Sequence, residues 1–109
     1  MSRHIYRTKN SSSLVVTVTI GWDYNLQTYF MDVLDQEFNS VYDSLFDDTI
    51  DLGVNPGLEY FQQKIVDMGI TVPSQMIEAL TQEMADNINS NKMKCWNDEK
   101  DLHFFKTQH

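Results

Sequence analysis

The stretch VTVTIGWDYNLQTYFMDVLD, Val16 to Asp35, decides the fold, because its first half admits one reading and its second half admits two. In the first half, extended back to Leu14, the residues Leu14, Val16, Val18, Ile20 and Trp22 point one way. Val15, Thr17, Thr19 and Gly21 point the other. β-Branched side chains at period two fit a pleated strand with one buried face. In the second half, Leu26, Tyr29, Phe30, Val33 and Leu34 fall on one helical face at i, i+3, i+4, i+7 and i+8. The same residues read as a strand place Tyr29, Met31 and Val33 on one side and Phe30, Asp32 and Leu34 on the other. Periodicity does not arbitrate between the two.

Upstream, "RHIYRTK" (Arg3 to Lys9) reads as a short strand and the polar "NSSS" (Asn10 to Ser13) as the turn into the next, which makes a β-hairpin. Downstream, "VYDSLF" (Val41 to Phe46) reads as a further strand and "DDTIDLGVNP" as an acidic loop. Two helices follow. In the first, Asn55 is the expected N-cap and Pro56 the first helical residue. Leu58, Phe61, Ile65 and Met68 form its buried stripe, and Gly69 stops it. Pro73 starts the second, with Met76, Ile77, Leu80, Met84 and Ile88 inward, and Asn87, Asn89, Ser90 and Asn91 end it. So short a connection implies a helical corner or hairpin. "KMKCWN" alternates as a late strand, and the tail from about residue 98 reads as a terminal hairpin strand or a loosely docked segment.

These elements predict a single α+β domain with the order β-β-β-β-α-α-β. An antiparallel sheet of four to five strands carries two helices packed on one face. Val18, Ile20, Phe61, Ile65, Ile77 and Leu80 are the expected centre of the core. A chain of 109 residues with 41% hydrophobic and 12% aromatic side chains suits one such core.

The order of short motifs resembles a group of short bacterial proteins of unassigned function. Their pattern opens with SRH and a hairpin running into GWD-x-PL-x-x-FF. It continues through a YF helix and LGI-x-VP-x-x-MIE to a late strand. Here stand Ser2-Arg3-His4, Gly21-Trp22-Asp23, Tyr29-Phe30, Tyr60-Phe61, Gly69-Ile70-Thr71-Val72-Pro73 and Met76-Ile77-Glu78. Asn25 replaces the proline, and the segment from Asp35 to Val41 is longer than usual. The resemblance favours a strand over Thr28 to Leu34, and it transfers no catalytic residue.

Chemistry is sparse. His4, His103 and His109 do not cluster, and no C-x-x-C or H-x-x-x-H spacing exists, so no zinc site is expected. Asp43, Asp47, Asp48 and Asp51 lack the ligand order of a calcium loop. Four glycines leave no phosphate-cradling loop, and no nucleophile motif appears. Catalytic residues, metal ligands and cofactors are therefore expected to be none. Cys95 reads as a small buried hydrophobe, and Met68, Met76 and Met84 as core.

Net charge is −8, which opposes direct contact with nucleic acid or an anionic membrane and favours a protein partner with a basic surface. The single cysteine suits a reducing cytoplasm. The N-terminus has no apolar segment of the signal-peptide kind, and no apolar run is long enough to span a bilayer. The expectation is a non-catalytic cytoplasmic protein that acts by binding another protein, with a homodimer compatible. Trp22, Asp23, Tyr24 and Tyr29, clustered where the chain turns, and the acidic Asp47 and Asp48 are the candidate partner-binding residues. One alternative is an acidic inhibitor imitating nucleic acid, of the anti-CRISPR or anti-restriction kind carried by mobile elements. Another is a small enzyme or ligand-binding regulator. The structural reading of Gly21-Trp22-Asp23 competes with the binding one: a turn at glycine, a buried Trp22, and Asp23 capping an Asx-turn.

Overall fold

The computed structural model describes residues 1–50 and 56–97. The ambiguous half of the deciding stretch is a strand. Strands β1 (Arg3–Lys9), β2 (Val15–Asp23), β3 (Thr28–Asp35) and β4 (Ser40–Asp43) form an antiparallel run. Helices α1 (Leu58–Asp67) and α2 (Ser74–Ala85) and strand β5 (Met93–Cys95) follow. The sheet has five strands in the order β4-β3-β2-β1-β5, and β5 joins β1 in parallel, the one departure from the antiparallel arrangement expected.

Strand wins over helix in β3 because tertiary burial selects period two. Tyr29, Met31 and Val33 are buried while Phe30, Asp32 and Leu34 are only half-buried. Each inward residue sits opposite an inward residue of β2: Tyr29 faces Trp22, Met31 faces Ile20 and Val33 faces Val18. A one-residue slip would turn the whole set to solvent. The helices cover this face, and Leu58, Phe61, Ile65, Ile70, Met76 and Leu80 complete the core. Ile77, expected at its centre, is half-buried and packs at its margin.

Other boundaries differ from the sequence reading for local reasons. Leu14 is 63% exposed, because the Asn10 side chain accepts from the Ser12 and Leu14 amides and keeps Leu14 in the turn. The segment Val41 to Phe46 is not one strand. Asp43 ends β4 by accepting from the Leu45 amide and so capping a single 3₁₀ turn, Ser44–Phe46. Helix α1 begins after Gly57 as N-cap, with Pro56 still outside it, and Asn55 lies outside the described residues. Pro73 is the N-cap of α2 rather than its first residue. Met84 is 51% exposed near the end of α2, and Cys95 is exposed on the edge strand rather than buried. The tail from residue 98 lies outside the described residues.

Both helices end as the sequence signals. After α1, Gly69 takes φ +71° while its amide donates to Val66 and the Ile70 amide to Ile65. After α2, Asn87 takes φ 48° while its amide donates to Met84 and the Ile88 amide to Glu83. This is the Schellman arrangement, which needs a left-handed residue that glycine and asparagine supply most readily. No helix among the described residues is long and apolar enough to cross a membrane.

Candidate functional site

The Gly-Trp-Asp stretch is architecture. Trp22 is buried and meets Tyr29 edge-on at 5.2 Å between ring centroids. Asp23, also buried, accepts from the Leu26 amide at 3.2 Å and so closes the turn. Gly21 has no room for a side chain, because the Ser2 carbonyl and the Phe30 ring occupy the place where a Cβ would stand. Tyr29 is buried, with its hydroxyl donating to the Leu80 carbonyl at 2.8 Å. Trp22 and Tyr29 therefore offer a partner almost no surface, and Tyr24 alone of the three aromatics is half-exposed.

The surface that does project lies beyond the edge strand β4, where the Met31 amide donates to the Ser44 hydroxyl at 3.1 Å. Asp43 turns the chain out of β4 into the 3₁₀ turn, leaving Leu45 80% and Phe46 81% exposed, with Val41 exposed beside them on the edge strand. The turn is then anchored behind by Asp47. Its Oδ2 accepts from the Tyr42 hydroxyl at 2.6 Å and the Tyr60 hydroxyl at 2.7 Å. Its Oδ1 accepts from the Thr49 hydroxyl at 2.6 Å and the Thr49 amide at 3.0 Å. The Thr49 and Tyr60 hydroxyl oxygens also lie in contact with each other. Lys64 from α1 completes the cage, with its Nζ 3.9 Å from Asp47 and above the rings of Tyr42 and Tyr60.

The electrostatics follow from these contacts. Hydrogen bonds from the Thr49 hydroxyl, then from Tyr42 and Tyr60, hold the Asp47 carboxyl well below the usual carboxylate range. Burial, then the bond to Asp47, pushes the Tyr42 phenol well above its ordinary value. An ionised carboxylate with four donors is a poor base and a poor nucleophile. Its work is to pin β4, the 3₁₀ turn and α1 together. Asp48, beside it, is exposed. Of the two candidate carboxylates at this corner, Asp47 is thus consumed internally and Asp48 faces solvent. A cavity of about 360 Å³ opens at this corner, lined by Val41, Tyr42, Asp43, Phe46, Asp48 and Lys64 among others.

A second polar cluster escaped the sequence reading. Ser2 and His4 are buried and both bond Glu83 Oε1 of α2, at 2.7 and 2.9 Å. The Trp96 indole N–H donates to His4 Nδ1 at 3.0 Å. That bond makes Nδ1 the acceptor and places the ring proton on Nε2, facing Glu83. Serine and histidine donate to the same oxygen, so the ring is not the serine's base and no nucleophilic pair exists here. Among the described residues, no three His, Cys, Asp or Glu side chains group so as to hold a metal ion. A largely apolar groove of about 440 Å³ between α1 and α2 is lined by Ile65, Val66, Ile70, Val72 and Ile77, with Glu78 at its polar side.

Leu45 and Phe46 were missed because they sit within an apparently continuous strand pattern, where alternation assigns one of them inward. The only local signal was Asp43-Ser44, a capping pair able to end a strand. Comparison of the chain with protein-family models, curated proteins and solved structures finds no match.

Proposed function

We propose that this protein is a non-catalytic binding protein whose partner docks on the corner formed by Val41, Leu45 and Phe46. The observation that carries the reading is the pair Leu45 and Phe46, 80% and 81% exposed on a turn fixed by the Asp43 cap and the Asp47 cage. Adjacent large apolar side chains on a fixed turn lose little backbone entropy on docking and gain desolvation. Asp43 and Asp48 border the patch, and the net charge is −8, so the partner's rim is basic. The imitation of nucleic acid is the weaker reading, since Asp47 is turned inward. The groove between the helices offers a small ligand few converging polar groups, which weakens the regulator reading. The exposed thiol of Cys95 fits a reducing compartment, and we place the protein in the cytoplasm. The likeness to a bacterial group suggests a bacterial source.

Affinity capture followed by titration of the purified partner tests this. Leu45→Ser or Phe46→Ser should weaken binding by about 2 kcal/mol or more, as a central apolar anchor does. Asp48→Lys should mainly slow association and flatten its salt dependence. Binding untouched by either apolar substitution but abolished by salt would favour the acidic imitation instead. Binding indifferent to all three would remove the corner from consideration.

A further inference from the structure

The helices cover one face of the sheet, and no element among the described residues covers the other. Cross-strand register defines its rows. Arg7, Thr17 and Leu34 form one, and Ile5, Thr19, Asp32 and Asp43 the next. In the third, Phe30 lies over Gly21. Ile5, Phe30 and Leu34 put apolar surface on this face, and the ring of Phe38 lies 5.8 Å from the Arg7 guanidinium. The charges are segregated. Arg3 and Arg7 stand on β1, on one side of β2, while Asp32 and Asp43 stand on β3 and β4, on the other.

Asp32 and Asp43 are direct partners across β3 and β4, an arrangement that costs stability in an isolated sheet. Burial, then the Asp43 carboxylate, pushes the Asp32 carboxyl above its ordinary value, and Arg3 and the Thr19 hydroxyl only partly offset this. The acidic side of the face is thus only partly balanced by Arg3, because β1 is displaced from β3 by two strand spacings, about 10 Å.

We infer that the open face pairs with the same face of a second copy, about a two-fold axis running along β2. That operation lays β1 of each copy over β3 of the other, because it exchanges the two sides of β2 while preserving position along the strands. Asp32 then falls over Ile5 of the partner subunit, between Arg3 of the partner subunit and Arg7 of the partner subunit. The contact is made twice, as an isologous interface requires. A two-fold axis across the strands would instead set β1 against β1 and β3 against β3, bringing like charges together. The apolar centre supplies burial and the segregated charges supply register and orientation. The overall charge of −8 on each copy opposes pairing, and salt screens the part of that repulsion that acts beyond about 8 Å.

Sedimentation equilibrium of the full chain at physiological salt, up to millimolar protein, tests this. The wild-type chain should be a dimer. Arg3→Glu with Arg7→Glu, and separately Asp32→Lys, should each weaken dimerisation about tenfold or more. An equal mixture of the two variants should recover a heterodimer, since one contact is then the native pair and the other is reversed on both sides. Circular dichroism checks that each variant folds; if the double variant does not, Arg3→Glu alone, at an exposed position, takes its place with the same expectations. Leu45→Ser and Phe46→Ser should leave the dimer intact, which separates this face from the partner-binding corner. A monomer throughout, a dimer indifferent to the charge reversals, or a mixture of folded variants that stays monomeric would each overturn the inference.

Discussion

Gly21 answers the question raised by the Gly-Trp-Asp stretch, and its answer is close approach rather than left-handed backbone. With the Ser2 carbonyl on one side and Phe30 on the other, any Cβ forces a shift. Gly21→Ala should destabilise by about 1–3 kcal/mol in urea unfolding. Phe30→Ala in the same chain should relieve only part of this, because the Ser2 oxygen is backbone and cannot swing away. Tyr29 gives a residue-scale effect of pH. Burial, with Glu83 and Glu59 adding, raises its phenol from 10.0 to about 12. A raised pKa means that the folded state holds the proton more tightly. Its contribution is therefore fully present below pH 10 and is lost as pH rises from 10 toward about 12. Tyr29→Phe should flatten the alkaline fall in stability measured by urea titration. At neutral pH it should cost about 1 kcal/mol for the lost bond to Leu80.

Among the elements, α2 docks through Met76 and Leu80, both fully buried against the sheet. Leu80→Ala should cost about 2–5 kcal/mol, with the larger values if the neighbouring side chains do not close the cavity. A loss below about 0.5 kcal/mol would mean that the residue is on the surface. The elements themselves were legible where pattern and punctuation agreed. Alternation over β2, the inward stripe of α1, and the stops at Gly69 and Asn87 all stand in the sequence. The 3₁₀ turn was not, because an exposed Leu45-Phe46 is indistinguishable by hydropathy from a buried strand end. Only the Asp43 cap and the Asp47 cage reveal it, and the latter joins residues from three separate segments. For the same reason Trp22 and Tyr29 read both ways in the sequence: clustered aromatics mark a core as readily as an interface, and the arrival of α2 buries these two.

The whole molecule is closed by groups far apart in sequence. Parallel pairing of β5 with β1 brings Trp96 onto His4, and α2 brings Glu83 onto both His4 and Ser2. The Ser2 hydroxyl in turn accepts from the Trp22 amide, so one chain of hydrogen bonds runs from β5 through β1 to β2 and α2. Such a network is cooperative only if every member is satisfied. Glu83 is its hub, since one oxygen accepts from two buried donors. Glu83→Gln keeps an acceptor oxygen there, and with His4 neutral no ion pair is lost. Its cost in urea unfolding should stay near 1 kcal/mol. Glu83→Ala leaves the Ser2 hydroxyl and the His4 ring N–H unpaired in the interior, and should cost about 2–4 kcal/mol. The ratio between the two variants is the informative quantity. If Gln proves as damaging as Ala, the carboxylate's charge is what matters, and His4 is protonated in the folded state. That outcome would require the Trp96 indole to face an N–H rather than a lone pair, and the indole resonance of Trp96 in a proton–nitrogen spectrum would then lack the downfield position of a hydrogen-bonded N–H.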